Sequence, residues 1–221
     1  MIGNEHLRVF GQLEDVEVAG VADALPSAAE RRAREHGVKA YASPEALLDD
    51  ASIDAVVIGV PNRYHAPLAI AAMERGKHVL LEKPMAISEE AAREIFEAQK
   101  RTGRVLMMAH QMRWTGIARA AKRLVDSGAL GRIYVAKTGL LRKKGIPGWG
   151  SWFTRMDEAG GGPLIDIGVH MLDLTLYLMG DPKPVSVYGA TYAEFGPRRQ
   201  GLGDWGTPDW NGYYDVEDLA T

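Results

Sequence analysis

Three polar side chains in the stretch GGGPLIDIGVHMLD (160–173) are spaced as an α-helix would align them. Asp166 precedes His170 by four residues and Asp173 follows it by three, so a helix beginning after Ile165 would place all three side chains on one face. A carboxylate next to an imidazole suits proton transfer, and it also suits metal ligation or a buried polar network. No further His or Cys cluster lies nearby in sequence to complete the three or four ligands of a stable metal site. We therefore predict no metal, and we leave proton transfer and the buried network open.

The stretch LLEKPMA (80–86) places two charges, Glu82 and Lys83, at the end of a hydrophobic run and directly before Pro84. An X-Pro bond is the usual site of a cis peptide, and a rigid turn here would point Lys83 towards a substrate. Partial desolvation lowers the pKa of an ammonium group, so Lys83 would be able to donate a proton or a hydrogen bond to a reacting oxygen. The alternative is an ordinary surface ion pair where the strand ends.

Short apolar runs alternate with helical patterns through the first half of the chain, as in parallel strands joined by crossover helices. Strands are predicted at 16–23, 54–60, 78–83 and 105–110, and helices at 27–37, 44–51, 66–76 and 88–103. Because these strands are rich in β-branched or apolar residues, we expect the sheet to be covered on both faces. The pattern predicts an α/β domain over residues 1–110, with a Rossmann-like doubly wound parallel sheet.

The pattern changes after residue 110. The predicted elements are a helix at 116–128, a strand at 131–143, the helix that carries His170, a strand at 184–195 and an irregular tail rich in Gly, Pro and Trp. These elements predict a second, α+β domain over residues 111–221, with an open and mostly antiparallel sheet that is incomplete.

Both ends of the chain are predicted to be cut. The helical patch at the start, followed by a strand that ends in an acid, is the second half of a dinucleotide-binding βαβ unit. Its first strand and glycine loop are missing, so Gly3 would be the last glycine of a G-x-G-x-x-G motif. Since that loop and the following helix N-terminus bind pyrophosphate, we expect the 221-residue chain to bind NAD feebly.

Four other residues are candidates for the nucleotide site. Asp23 closes the strand of VAGVAD, where a carboxylate accepts hydrogen bonds from a ribose 2′-hydroxyl and repels a 2′-phosphate. This favours NAD over NADP, although Asp23 is equally suited to capping the turn that follows. Pro61 and Asn62 follow a buried strand and would line the cofactor cleft with His65, whereas the alternative makes Asn62 a helix cap and His65 an ordinary first-turn residue.

Composition excludes several classes of protein. A chain of 221 residues, 46% hydrophobic and 25% charged, is long enough for one large core or two modest ones. A net charge of −3 and the lack of a polybasic run argue against nucleic acid and membrane surfaces as partners. No apolar run approaches the roughly 18 residues of a membrane span, and there is no signal-peptide pattern. The absence of cysteine excludes disulfides and thiolate chemistry, and we predict a cytoplasmic protein.

Two side chains are candidates for substrate contacts. Arg113 follows the last predicted strand of the first domain, and Trp152 lies in the segment GIPGWGSWFT (145–154). An arginine and an aromatic face suit a polyhydroxylated ligand through hydrogen bonding and stacking. Trp149 and Trp152 are also suited to packing or to an oligomer contact, and we expect at least one of them to pack.

The segments GKHVLLEKPMA (76–86) and GGGPLIDIGVHMLDLTLYLMG (160–180) together resemble the Gfo/Idh/MocA family of oxidoreductases. The resemblance implies an NAD-dependent enzyme that transfers hydride between nicotinamide and a sugar, cyclitol or related polyol carbon. It implies that Lys83 and His170 are the acid–base groups, in either order, and that Asp166 orients the imidazole or a substrate hydroxyl. Glu82 and Lys83 would then also border the cofactor, while Asp166 and His170 would contact substrate.

The resemblance also implies a homo-oligomer, a dimer or tetramer, for the full-length form. Two other activities stay open beside the dehydrogenase. One is a glycosidase of the same family that uses NAD transiently and returns it unchanged. The other is a nonenzymatic relative that binds NAD and serves as a sensor or regulator.

Overall fold

The computed structural model describes residues 2–221, which form two compact units. The first unit contains the chain up to residue 60 together with residues 64–85 and 89–108. The second contains residues 109–221 and two short pieces of the earlier chain, residues 61–63 and 86–88. None of the helices in residues 2–221 is both long enough and apolar enough to span a bilayer.

The first unit alternates helices and strands along the chain. Its elements are α1 (Ile2–Phe10), β1 (Gly20–Val21), α2 (Pro26–His36), β2 (Lys39–Ala40), α3 (Pro44–Leu48), β3 (Ala55–Ile58), α4 (His65–Glu74), β4 (His78–Leu81), α5 (Glu89–Thr102) and β5 (Leu106–Met108).

All strand pairs in this unit are parallel. Strand β1 pairs with β2, with Gly20 opposite Lys39. Strand β4 lies between β3 and β5, with Ala55 opposite His78 and Val79 opposite Leu106. Parallel strands joined by helices are the arrangement that the alternating pattern predicts, so the α/β, Rossmann-like class is confirmed for this part of the chain.

Local signals explain where several helices begin and end. Ser43 accepts a hydrogen bond from the Ala46 N–H and so caps the start of α3. Gly37 ends α2 in the left-handed region at φ 69°, where its N–H bonds the Ala33 carbonyl. Helix α5 has Glu89 and Glu90 in its first turn and basic residues in its last, which complements the helix dipole.

The core of the first unit lies between the sheet and helices α4 and α5, which pack on each other. Leu81 and Ile95 are fully buried there. The opposite side of the sheet differs from the prediction, because Val57 and Met107 are 39% and 46% exposed. The second face of strands β3 to β5 is therefore only partly covered, although these strands are rich in apolar residues.

The second unit is built from α6 (Gly116–Asp126), α7 (Met156–Ala159), α8 (Val169–Met179), β6 (Thr191–Tyr192) and β7 (Leu219–Ala220). Helices α6 and α8 pack on each other. Strands β6 and β7 are antiparallel, with Thr191 opposite Ala220. Helices beside a short antiparallel sheet confirm the predicted α+β class.

The strand predicted at 131–143 does not form, and these residues are almost all exposed without ladder hydrogen bonds. Of the strand predicted at 184–195, only β6 forms. Alternating hydrophobic residues give a segment strand propensity, but a strand also needs a neighbour to receive its backbone hydrogen bonds. In residues 2–221, β6 has such a neighbour in β7 and residues 131–143 have none.

Candidate active site

The first group of candidate residues surrounds the turn after β4. Glu82 is 6% exposed, so it does not form the surface ion pair that we considered as the alternative. Its Oε1 lies 2.8 Å from Nε2 of His6 on α1, and its Oε2 accepts a hydrogen bond from the Lys83 backbone N–H at 3.2 Å. The Lys83–Pro84 bond is cis, and Lys83 itself is half-buried. Glu82 therefore holds the turn from inside the protein.

His65 begins α4 and is buried, with 1% of its surface exposed. Its ring nitrogens lie beside two backbone carbonyls, Nδ1 at 2.6 Å from the Pro84 oxygen and Nε2 at 3.0 Å from the Val60 oxygen. Burial lowers the pKa of His65, because the charged imidazolium loses its hydration. The expectation that His65 lines the cofactor cleft does not fit this burial, since the ring has no exposed edge.

The glycine predicted to end the nucleotide fingerprint is not closely packed. A β-carbon added to Gly3, in the first turn of α1, would meet no atom within 4 Å. At Gly59, directly after β3, the added β-carbon would lie 3.1 Å from Ile2 Cγ2. Helix α1 and the main chain after β3 thus approach each other closely at Gly59, a residue that our sequence analysis did not single out.

Asp23 lies just beyond β1 and is exposed. Its Oδ1 accepts a hydrogen bond from the Leu25 N–H at 2.9 Å, which is the turn-capping role that we considered as the alternative. One oxygen of a carboxylate can cap a turn while the other accepts from a ligand, so this contact is compatible with ribose binding.

The loop after β3 is tied down inside the second unit. Asn62 is 6% exposed and donates from Nδ2 to the Ala159 carbonyl at 2.8 Å. Arg63 pairs with Glu158 at 2.8 Å. Asn62, which we expected in the cofactor cleft, is therefore a buried anchor for α7, whereas its neighbour Pro61 is half-buried.

Asp166 and His170 lie where the chain enters α8, and both are half-buried. The prediction of a regular α-helix from Ile165 onwards is wrong in one respect, because residues Leu164–Gly168 form a π-helical turn before α8 begins. A π turn holds one more residue than an α turn, so Asp166 is rotated relative to His170 from its predicted position. Such turns are frequent at functional sites.

Asp173, one turn further along α8, is 8% exposed and binds Arg113 through two parallel hydrogen bonds of 2.8 and 2.5 Å. These bonds raise the pKa of the Arg113 guanidinium. His110, which our sequence analysis missed, places Nε2 3.7 Å from the same carboxylate, and the Arg113 guanidinium lies 5.0 Å from the Tyr177 ring centroid. Arg113 is thus occupied in holding α8, which does not support the expected role in binding substrate.

Removing either partner of this bond is expected to destabilise the second unit. Arg113→Met and Asp173→Leu should each lower the free energy of unfolding by about 2 to 3 kcal/mol, because each leaves one charged group without its partner. The double variant should lose clearly less than the sum of the two. Urea unfolding followed by tryptophan fluorescence measures this, since all five tryptophans lie in the second unit.

Arg198→Met is the matched control in the same unit. Its ion pair with Glu194 is 2.9 Å long, but the two side chains are 66% and 61% exposed. Such pairs contribute about 0 to 1 kcal/mol, so the urea midpoint should hardly move. Equal effects of Arg113→Met and Arg198→Met would contradict the anchoring role of Arg113.

The glycine triplet before Asp166 is packed against protein backbone. A β-carbon at Gly160 would lie 2.7 Å from Ile87 Cα, and one at Gly162 would lie 2.0 Å from the Glu217 carbonyl oxygen. The Glu217 carboxylate accepts hydrogen bonds from the N–H groups of Gly162 and Leu164. Glu217 therefore caps the start of this helical segment from a distant part of the chain, a role that no local pattern indicates.

The tryptophans divide as expected, with at least one used in packing. Trp149 is 6% exposed and donates from Nε1 to the Gly196 carbonyl at 2.8 Å. Trp152 is half-buried and stacks on Phe153 with ring centroids 3.7 Å apart. Within residues 2–221, no three His, Asp or Glu side chains gather in an arrangement that would hold a metal ion.

A parallel α/β unit with a Glu-Lys-Pro turn after one of its strands is typical of the Rossmann class of dinucleotide-binding domains. The chain belongs to the Gfo/Idh/MocA family. The family model for an oxidoreductase with an NAD-binding Rossmann fold matches residues 1–110, and the model for the family's C-terminal domain matches residues 118–221.

Individual relatives agree with this assignment. D-glucoside 3-dehydrogenase of Escherichia coli is 36% identical over 215 residues, which are 96% of this chain and 60% of that protein. The NAD⁺-dependent scyllo-inositol 2-dehydrogenase of Bacillus subtilis is 34% identical over 161 residues, 72% of this chain and 45% of that protein. A solved structure of levoglucosan dehydrogenase with NADH and levoglucosan has a TM-score of 0.77 and 28% identity, covering 99% of this chain and 58% of that one. The chain thus spans about half to three fifths of the length of these relatives.

Proposed function

We propose that the protein is an NAD-dependent dehydrogenase that oxidises a CH–OH group of a sugar, cyclitol or related small polyol. The observation that carries this proposal is the buried Glu82, which holds the Lys83 backbone in a family whose named relatives include dehydrogenases of glucosides and inositols. The division into a dinucleotide-binding domain (1–110) and a substrate and oligomerisation domain (111–221), and a homo-oligomeric assembly, are parts of the same proposal.

The chemistry assigned to the chain is proton transfer. Bound NAD would supply the nicotinamide ring that accepts the hydride from the substrate carbon. His170 takes the proton from the substrate hydroxyl, because an imidazole titrates near neutral pH, and Lys83 stabilises the developing alkoxide. Asp166 orients the imidazole or a neighbouring hydroxyl of the substrate. If Lys83 is the unprotonated group before the reaction, Lys83 takes the proton and His170 stabilises the alkoxide.

The residues present fit the cofactor at its adenosine end. Asp23 is an exposed hydrogen-bond acceptor at the carboxyl end of β1. Gly59 follows β3 and has no side chain, so the first turn of α1, which contains Gly3, lies close to the main chain there. We assign Asp23, Gly3 and Pro61 to the cofactor and leave the buried Asn62, His65 and Glu82 out of direct contact with it. Trp152 remains our candidate for a ring that stacks on the substrate.

A panel of sugars, glycosides and inositols with NAD tests the proposal on the protein that the gene encodes. A dehydrogenase produces NADH in proportion to substrate consumed. Cleavage of a glycoside without net NADH would instead identify the transient-NAD glycosidase. Binding of NAD with no turnover across the panel would favour a nonenzymatic regulator.

Asp23 is expected to set the preference for NAD over NADP. Asp23→Asn keeps the oxygen that bonds the Leu25 N–H but removes the charge that repels a 2′-phosphate. We expect the ratio of NAD affinity to NADP affinity to fall about tenfold, which is about 1.4 kcal/mol. Calorimetric titration with each cofactor measures the ratio.

Asp23→Ala is the companion variant, because it loses both the charge and the turn contact. It should change the cofactor ratio as Asp23→Asn does and also lower the melting temperature. An unchanged ratio in both variants would remove Asp23 from the cofactor site.

A further inference from the structure

The side chain of His65 is almost completely enclosed by the protein. Its ring is buried between two carbonyl oxygens, that of Pro84 at 2.6 Å from Nδ1 and that of Val60 at 3.0 Å from Nε2. A purely apolar ring of similar size would fill the same space. A buried carbonyl oxygen needs a donor, however, so the hydrogen-bonding capacity of His65 has to be explained.

The tautomer follows from the two distances. A neutral imidazole carries one N–H, and burial lowers the pKa of His65 and thereby favours the neutral form. With the proton on Nε2, the lone pair of Nδ1 would face the Pro84 oxygen at 2.6 Å, which is repulsive. With the proton on Nδ1, that short contact becomes a hydrogen bond, and the longer Val60 contact carries the unfavourable pairing. Nδ1–H therefore donates to Pro84.

We propose that His65 is a positioning residue for Lys83. Its bond to the Pro84 carbonyl fixes the residue after Lys83, while Glu82 Oε2 fixes the Lys83 N–H on the other side. Two buried side chains thus hold the backbone on either side of the lysine. The inference deepens the proposed function and rests on it wherever catalytic turnover is the readout.

Two substitutions separate positioning from packing. The amide nitrogen of His65→Asn falls near the place of Nδ1, so this variant keeps a donor for Pro84, whereas the longer His65→Gln places its amide near Nε2. We expect kcat to stay within about threefold in His65→Asn and to fall about 10- to 100-fold in His65→Gln, since small displacements of a catalytic group cost this much. A packing role predicts the reverse order, because Gln fills more of the histidine volume than Asn.

Methionine fills the space of the histidine but has no hydrogen-bond donor. If His65→Gln does not fold, His65→Met takes its place, and its kcat is expected to fall in the same way. For every folded variant, Kd for NAD should match the starting protein. A larger loss of kcat in His65→Asn than in His65→Gln and His65→Met would overturn the proposal.

A readout that does not depend on the reaction is the chemical reactivity of Lys83. Competitive acetylation followed by mass spectrometry gives its reactivity relative to the exposed Lys100. We expect this ratio to change about threefold or more in His65→Gln and to stay unchanged in His65→Asn, because only the former releases the turn. An unchanged ratio in both variants would overturn the positioning role. If no substrate of the panel is turned over, the dehydrogenase proposal fails, and the labelling ratio still decides the role of His65.

Discussion

Replacing Lys83 with glutamine is expected to lower kcat for polyol oxidation by about 10²- to 10⁴-fold, the range typical of a lost general acid–base group. Glutamine is one bond shorter than lysine and keeps a hydrogen-bond donor, but it removes the charge that stabilises an alkoxide. The backbone contacts of Glu82 and His65 should hold the turn as before. NAD affinity should therefore stay close to that of the starting protein. Steady-state kinetics with the best substrate of the panel and calorimetric titration with NAD measure the two quantities.

Lys100→Gln is the matched control, since Lys100 lies on α5 of the same unit, is 55% exposed and pairs with the exposed Glu97. It should leave kcat unchanged. Turnover of Lys83→Gln within about twofold of the starting protein would remove Lys83 from the reaction, whatever the role of His170.

Gly162→Ala is expected to destabilise the second unit by about 3 kcal/mol, near the upper end of what overpacking usually costs. The added carbon would lie 2.0 Å from the Glu217 carbonyl oxygen, and this neighbour is backbone and cannot rotate away. Moving it would also weaken the hydrogen bonds through which Glu217 caps the segment that carries Asp166. Urea unfolding monitored by tryptophan fluorescence reports on this unit.

Gly116→Ala supplies the comparison. Gly116 begins α6 in the same unit, and a β-carbon there would meet nothing within 4 Å. Since alanine favours a helix by up to about 1 kcal/mol over glycine, this variant should be as stable as the starting protein or slightly more so. If Gly162→Ala unfolds at the same urea concentration as Gly116→Ala, the packing described for the glycine triplet is incorrect.

Helices were predictable because their signals are local. Gly37 and Gly180 both end helices in the left-handed region, and Ser43 caps α3 with its own side chain. Residues 131–143 show the limit of such reasoning, since their alternation predicts a strand and no neighbouring strand exists for them in the described chain. A strand depends on a partner that its own sequence does not contain.

The candidate site was likewise predictable only in part. Spacing and residue type identified Lys83, Asp166 and His170, and these assignments stay predictions until variants are measured. The partners of the site residues were not predictable, because Asp173 binds Arg113 from 60 positions away and Glu217 reaches Gly162 from 55 positions away. A sequence read without relatives carries no signal for contacts of that range. The charged pair Glu82 and Lys83 was the exception, since two charges closing a hydrophobic strand are hard to explain by packing.

The anchoring of Glu82 limits how the site can adapt. This buried carboxylate binds both the Lys83 N–H and the His6 ring, so the main chain at Lys83 cannot shift without breaking contacts to α1. Ligands of different shape must therefore be accommodated by other segments. On the proposed function, we expect a change of preferred substrate to require changes in the loops near this turn while the main chain at Lys83 stays in place.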